Sequence, residues 1–404
     1  MEYKGIGYLR KKLNTKREGV KRRYEFYEMK NLVRDFNIST PPDLKNWQSV
    51  LGWCGKSVDS LADRIVVREF SNDNFNMQEI YDLNNPDILY DSAITGALIS
   101  SCDFIYLSAD ETGFPRLQVI DGSNATGIID PITNMLNEGY AVLERNPNGN
   151  VVTEAYFTKE FTEIYKKGEG LVQRTPNPAP YALLCPIIYK PDAKRPFGHS
   201  RLSRAQMSLV GSALRTIKRS EIAAEFYSYP QKYVSGLSED AEKMEKWKAT
   251  MATILSFTKD EDGDHPVVGQ FTQQSMEPHV KQLEMFASLF AGETGLTMDD
   301  LGFSKANPAT ADSIRASHEN LRLAARKAQR NFATGFINAG YLAACLRDNY
   351  PYTRDKIRET KIRWYPIFEP DLNALGAAGD AIYKIQQAVP DFLTEEKIED
   401  LLGL

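Results

Sequence analysis

The chain has 404 residues, 42% hydrophobic and 25% charged, with 26 Gly and 20 Pro. These fractions exclude collagen-like, coiled-coil-only and largely disordered chains, and at roughly 150 residues per domain they point to two or three domains. A net charge of −5, from 49 Lys+Arg against 54 Asp+Glu, shows no global cationic excess of the kind that grips nucleic acid. Cys54, Cys102, Cys185 and Cys345 are scattered without metal-ligand spacing and read as small buried hydrophobes of a reducing compartment. The N-terminus lacks an apolar signal core, and no apolar run reaches membrane-spanning length, so a cytoplasmic product without an anchor is expected.

Residues 1–30 carry ten Lys/Arg against four Glu and end in Tyr24, Phe26 and Tyr27. A basic, Tyr-rich helix is expected there, either solvated or set against an acidic neighbour or DNA. Pro41-Pro42 breaks the chain. Apolar residues at helical spacing (Val50, Leu51, Cys54, Val58, Leu61, Ile65) then predict a helix from Trp47, and Val66-Val67 a short strand. Further helix is expected over 77–101.

From Cys102 the period changes. Short β-rich runs at 104–107, 116–120, 126–129, 140–143, 151–157, 161–165 and 171–172, separated by Gly/Asn/Pro turns, predict an antiparallel sheet module closed by 183–188. After Ser200 an apolar stripe (Leu202, Ala205, Leu209, Ala213, Ile217, then 222–226) predicts roughly 40 Å of helix, ended by Tyr229-Pro230. Residues 231–274 read as a short strand at 233–234, an acidic helix at 239–251 and strands near 255–257 and 267–271. A helix from Met276 to Ala291 stops at Gly295. A loop of small and polar residues at 302–309 precedes a very long helix from Thr310 to Arg347. Ile314, Leu321, Ala325, Ala328, Phe332 and Phe336 line one face of it, and Arg315, Arg322, Arg326, Lys327 and Arg330 load the other. Such a helix needs partners on more than one side. A strand at 358–364 and two short helices around Pro390 complete the chain.

Catalytic motifs fail. Gly55-Lys56-Ser57 is half of a phosphate-binding loop, but the required earlier glycine falls at Val50 and the approach reads as helix. The run 260–264 falls short of an EF-hand loop. The four histidines, His199, His265, His279 and His318, stand far apart; His199 could meet an acid and Ser200 or Ser203 only through folding. No catalytic residue, metal ligand or cofactor is expected.

In their order, these pieces resemble the portal proteins (head–tail connectors) of tailed bacteriophages. Residues 53–65 look like the family's early wing helix, and Phe197-Gly198-His199-Ser200-Arg201 like the lead into its first stem helix. Tyr229-Pro230 and Val234-Ser235-Gly236 resemble the start of the clip, 295–302 the segment before the tunnel loop, and 310–315 the start of the long helix after it. The resemblance spans roughly residues 20–404. It implies an α+β portal architecture: an α/β wing (1–198), a first stem helix (199–229), a small α/β clip (230–275), a second stem helix (276–294), a tunnel loop (295–309), a long helix with a strand returning to the wing (310–366), and a C-terminal helical crown (367–404). Family members often carry a longer acidic tail, so a small crown is expected.

The resemblance further implies a non-enzymatic homododecameric ring at one capsid vertex of the virion, assembled in the host cytoplasm. Double-stranded DNA would pass through it non-specifically during packaging and ejection. Its partners would be the terminase large subunit, which hydrolyses the ATP, then neck or adaptor proteins, with capsid and scaffolding proteins around it and no membrane. Under this reading Ser304, Lys305 and Asn307 of the tunnel loop face DNA, and Lys218 and Arg219 line the channel or form intersubunit salt bridges. Asp240, Glu242, Glu245, Asp260, Glu261, Asp262 and Asp264 make an acidic clip that meets partners. The long helix would find its partners in neighbouring subunits. The alternatives are a minor capsid-associated structural protein and, less favoured, a cytoplasmic hydrolase using His199.

Overall fold

A computed structural model describes residues 3–33, 46–227, 232–235, 267–270, 275–303, 313, 316–368, 372–389 and 398. Outside the described residues lie the break at Pro41-Pro42, the expected helix at 239–251 and strand at 255–257, loop residues 304–309, most of 310–315 and the helix after Pro390.

The N-terminal elements are α1 (Ile6–Tyr27), α2 (Trp53–Ala62), β1 (Val67–Ser71), α3 (Met77–Asp82) and α4 (Pro86–Ser100). Strands follow: β2 (Cys102–Ala109), β3 (Pro115–Ile120), β4 (Ala125–Ile129), β5 (Leu136–Arg145), β6 (Val151–Phe157), β7 (Phe161–Lys166), β8 (Gly170–Pro176) and β9 (Leu184–Ile188). Next come α5 (Arg204–Tyr227), β10 (Lys232–Ser235), β11 (Val267–Gln270), α6 (Glu277–Thr294), α7 (Glu319–Arg347), β12 (Lys361–Trp364) and α8 (Leu372–Ala388). The α+β class read from the sequence is therefore the one observed.

The expected β module divides into two antiparallel sheets, ordered β3-β2-β9 and β4-β5-β6-β7-β8. The larger sheet alternates. Ala141, Ala155 and Phe157 face the main core, whereas Tyr140, Val142 and Tyr156 face Leu9 and Leu13 of α1. Period-2 side-chain direction thus buries both faces, one against the smaller sheet and one against α1. The other side of the smaller sheet carries α4 and α7, so β2 is buried along most of its length. Helix α1 also reaches past the edge of the sheets to α4 and α2, where Arg23 donates to the Ser100 carbonyl.

Helix α7 is the central strut. Residues 338–345 are buried without interruption, and Phe332, Phe336 and Tyr341 are fully enclosed. Each such aromatic removed from water contributes about 1.5–3 kcal/mol. Phe336 is gripped edge-on by Tyr90 (centroids 4.9 Å) and Tyr81 (6.5 Å), and the Tyr81 hydroxyl donates to the Phe336 carbonyl at 2.7 Å. Gly335 lets this helix touch β9, since a Cβ there would lie 2.7 Å from Ile187 Cδ1 and 3.2 Å from the Pro186 carbonyl. The expectation that neighbouring subunits must flank the long helix is corrected for this half, where the chain's own α3, β2, β3, β9 and β12 pack around it. The N-terminal half keeps an open face, with Leu323 52% exposed beside Arg326, Lys327 and Arg330.

Smaller departures have local causes. The helix expected from Trp47 begins at Trp53, and Val50 is exposed. The helix expected over 77–101 splits because Asn85 adopts a left-handed conformation and Pro86 opens a new helix. The strand expected from Arg358 begins at Lys361 after a 3-10 turn, and pairs antiparallel with β1 to return the chain to the wing. Gly55-Lys56-Ser57 sits inside α2, where Ser57 Oγ donates to the Cys54 carbonyl, so it is no phosphate loop.

Candidate functional site

The motif Phe197-Gly198-His199-Ser200-Arg201 joins the strand-rich part of the chain to α5 by completing a helix end. The last four carbonyls of any α-helix lack intrahelical donors. At the end of α4 all four find one. The Ala97 carbonyl accepts from Ser101 N–H (3.0 Å) and Leu98 from Arg201 N–H (2.7 Å). Ile99 accepts from Ser200 Oγ (2.6 Å) and Ser100 from Arg23 Nη1 (2.8 Å). Gly198 makes the approach possible: its φ is +75°, and a Cβ would lie 2.0 Å from the Tyr189 carbonyl, the acceptor of His199 N–H at 2.9 Å. The Arg201 guanidinium, 6% exposed, then donates from Nε to the Ser57 carbonyl (3.3 Å) and from Nη2 to the Thr294 carbonyl. One side chain thereby ties α2, the start of α5 and the end of α6 together. Burial holds its pKa below the usual arginine range.

Helices α5 and α6 pack as a pair, bridged by Thr216 Oγ1 donating to Gln282 Oε1 at 3.1 Å. Lys218 is buried in this chain and Arg219 half-buried, and each has an interaction partner. Strands β10 and β11 pair antiparallel, Lys232 opposite Gln270. The clip acids Asp240, Glu242, Glu245, Asp260, Glu261, Asp262 and Asp264 lie outside the described residues.

The two roots of the predicted tunnel loop meet. Gly295 ends α6 with φ +72°, and the chain turns through Thr297, whose N–H and hydroxyl donate to Asp300 Oδ2 (2.8 and 2.9 Å). The same oxygen lies 3.3 Å from Nε2 of His318, at the start of α7. Burial tends to raise the Asp300 pKa, but the Thr297 donors and His318 outweigh it and hold the carboxyl below its ordinary range. Phe303 packs on Trp53 (6.5 Å), which also meets Phe290 of α6 (5.6 Å). Asp300 and His318, which stand on either side of residues 304–315, are thereby held together. Ser304, Lys305 and Asn307 themselves lie outside the described residues.

The fold does not build the hydrolase site considered for His199. Its Nε2 lies 2.5 Å from Asp192 Oδ2, but Ser200 Oγ is turned onto the α4 carbonyls. The His199 hydrogen bond, joined by backbone donors, keeps the Asp192 carboxyl below its ordinary range. Among the described residues no group of His, Cys, Asp and Glu could hold a metal ion, and no helix is long and apolar enough to cross a membrane. Sequence reasoning missed Arg201 and the Asp300–His318 pair. The first stood inside a motif already singled out; the second joins residues on either side of a loop and leaves no local signal.

No family model matches the chain. The portal protein of Mycobacterium phage L5 is 21% identical over 387 residues, covering 90% of this chain and 78% of that protein. The portal protein of Mycobacterium phage D29 is 21% identical over the same length, covering 90% and 79%. Among solved structures, a chain of the native gene transfer agent virion is similar at 15% identity and a TM-score of 0.44, covering 87% of this chain and 89% of that one. A chain of the native gene transfer agent neck, computed with C12 symmetry, is similar at 16% identity and a TM-score of 0.45, with the same coverage. The mixed helix and strand fold is the α+β class expected, and the chain is similar along nine tenths of its length to two phage portal proteins, the resemblance that the order of its motifs suggests.

Proposed function

We propose that the chain is the ring-forming portal subunit of a tailed phage particle, a virion component at one capsid vertex. Double-stranded DNA is packaged through its channel by a docked terminase and later ejected past neck or adaptor proteins. The observation that carries this reading is the similarity to two portal proteins along nine tenths of the chain. In this reading residues 1–198 form the wing, 199–229 and 276–294 the stem, 230–275 the clip, 295–309 the tunnel loop, 310–366 the long helix and return strand, and 367–404 the crown. The pinched loop root at Asp300 and His318 supports the loop assignment, because an excursion fixed at both ends can project into a channel without loosening the body. Charge supports it too. Each phosphate neutralised by Lys or Arg releases counterions and tightens binding, so a conduit needs few cations, and the segment 302–309 holds only Lys305. Lys218 and Arg219 belong to the stem lining or its intersubunit seams, and the clip acids to the partner-docking end.

Lys305→Ala tests this reading. Ring assembly should persist while packaged DNA length or retention changes, measured as nuclease-protected DNA per particle. Wild-type packaging and retention in the variant would remove Lys305 from the channel.

A further inference from the structure

A cavity of about 400 Å³ opens where α1 crosses the junction between α4 and β2. Lys12, Lys16 and Arg23, on one side of α1, line it together with Lys194 and Arg195 from the turn before the stem. The floor is polar: Ser100, Ser101 and Thr126 contribute, with Gly122 beside them. No Asp or Glu is in the lining, and among the described residues none of the five cations forms a salt bridge with a carboxylate. The acids nearby are otherwise engaged. Asp192 bonds His199 and the backbone N–H groups of Lys194 and Arg195, and Asp103, buried beneath the lining, accepts from Ser100 Oγ and the Gly122 N–H.

Two of the cations are held in place. Lys12 Nζ donates to the Gly127 carbonyl at 2.6 Å and lies 4.8 Å from the centre of the Phe197 ring. Arg23 is fixed by the Ser100 carbonyl. Burial, then Lys16 and Lys4, push the Lys12 ammonium down to about 8, and burial and Arg195 lower Arg23. Like charges gathered around a partly desolvated cavity repel one another, and a multiply charged anion relieves that repulsion. Guanidinium and ammonium groups above a hydroxyl-bearing floor match phosphate oxygens, each of which accepts several charge-assisted hydrogen bonds.

We propose that this cavity is an anion site that takes a phosphate-class polyanion, pyrophosphate in size, clamped between α1 and the Lys194–Arg195 turn. The phosphate could come from a free nucleotide or polyphosphate, or from a nucleic-acid backbone. The inference is independent of the portal reading, since it rests only on this cavity.

The test is calorimetric titration of the full chain with pyrophosphate and, separately, with a short single-stranded oligonucleotide, at low and moderate salt. The double variant Lys16→Ser, Lys194→Ser changes only exposed side chains and is checked for wild-type unfolding. Each lost charge-assisted contact is expected to weaken binding by about tenfold. Pyrophosphate binding that the variant weakens supports the site with a free polyphosphate as source. Oligonucleotide binding alone, weakened by the same variant, supports it with a backbone phosphate as source. Absence of binding by either probe to the wild type, or equal binding to the folded variant, overturns it.

Discussion

Arg201→Met is the sharpest perturbation of the junction of α2, α5 and α6, because it keeps most of the aliphatic bulk and removes only the guanidinium. Two acceptors lose a donor, and they are not equivalent. Ser57 lies within α2 and retains its place in the helical ladder, whereas Thr294 is the last residue of α6, where carbonyls have no intrahelical donor. Thr294 is also 2% exposed, so water does not readily replace the arginine. A buried acceptor left unpaired costs about 1–3 kcal/mol, and the weakened Ser57 contact adds about 1 kcal/mol. Releasing a guanidinium whose charge is disfavoured by burial gives part of this back. The net expectation is about 2–3 kcal/mol of destabilisation. Urea unfolding followed by far-UV circular dichroism measures it, and hydrogen exchange should show loss of protection at the end of α6 before any loss in β5 or β6. Arg201→Lys, which keeps one charged donor, should recover about half. A change below about 0.5 kcal/mol, the scale of an ordinary surface substitution, would refute the reasoning.

Other residues give further tests. Gly198→Ala places a methyl 2.0 Å from the Tyr189 carbonyl at a φ of +75° and should cost several times an ordinary core substitution, read as a large fall in thermal midpoint or loss of soluble protein; wild-type stability would mean that the junction is not tightly packed. Asp103, buried between Ser100 and Gly122, has its carboxyl pushed up to about 8, chiefly by desolvation. The folded chain then keeps a proton that the unfolded chain releases near the ordinary carboxylate value. Its contribution to stability is full below about pH 4 and is lost as pH rises toward 8, at up to about 1.4 kcal/mol per unit. Asp103→Asn should therefore flatten the decline in urea stability between about pH 5 and about pH 8, and an unchanged slope would exclude a raised carboxyl. Asp300 works in the opposite sense: its lowered pKa gives stability above the ordinary carboxylate value that is lost as pH falls. Asp300→Asn should quicken proteolytic cleavage between 296 and 318 at neutral pH, and an unchanged cleavage pattern would show the Asp300–His318 contact to be idle.

Much of this fold was legible because single elements carry strong periodic signals. Every expected strand from 104 to 172 is present, as are α5 and the Gly295 stop of α6, although the face α5 buries runs through Gln206, Val210, Ala213 and Leu214 and leaves Ala205 exposed. The division into two sheets was not legible, because the strands look alike in period. It is set by long-range pairing, with β2 reaching past six intervening strands to β9. The enclosure of 338–345 had a trace in the small residues Ala339, Gly340, Ala343 and Ala344, which suit close packing on every side. The candidate site was legible as an order of segments and not as contacts. Arg201 reaches carbonyls at 57 and 294, and Lys12 meets Lys194 and Arg195, across separations that no local pattern spans.

The claim on which the functional account stands is that many copies enclose a hollow axis. Negative-stain electron microscopy of the purified full chain, with particle mass determined in parallel, tests it directly. The account predicts closed rings of uniform high rotational symmetry, with a central hole wide enough for duplex DNA. A compact monomer at every concentration and salt tried, or an assembly closed at its centre, would contradict it.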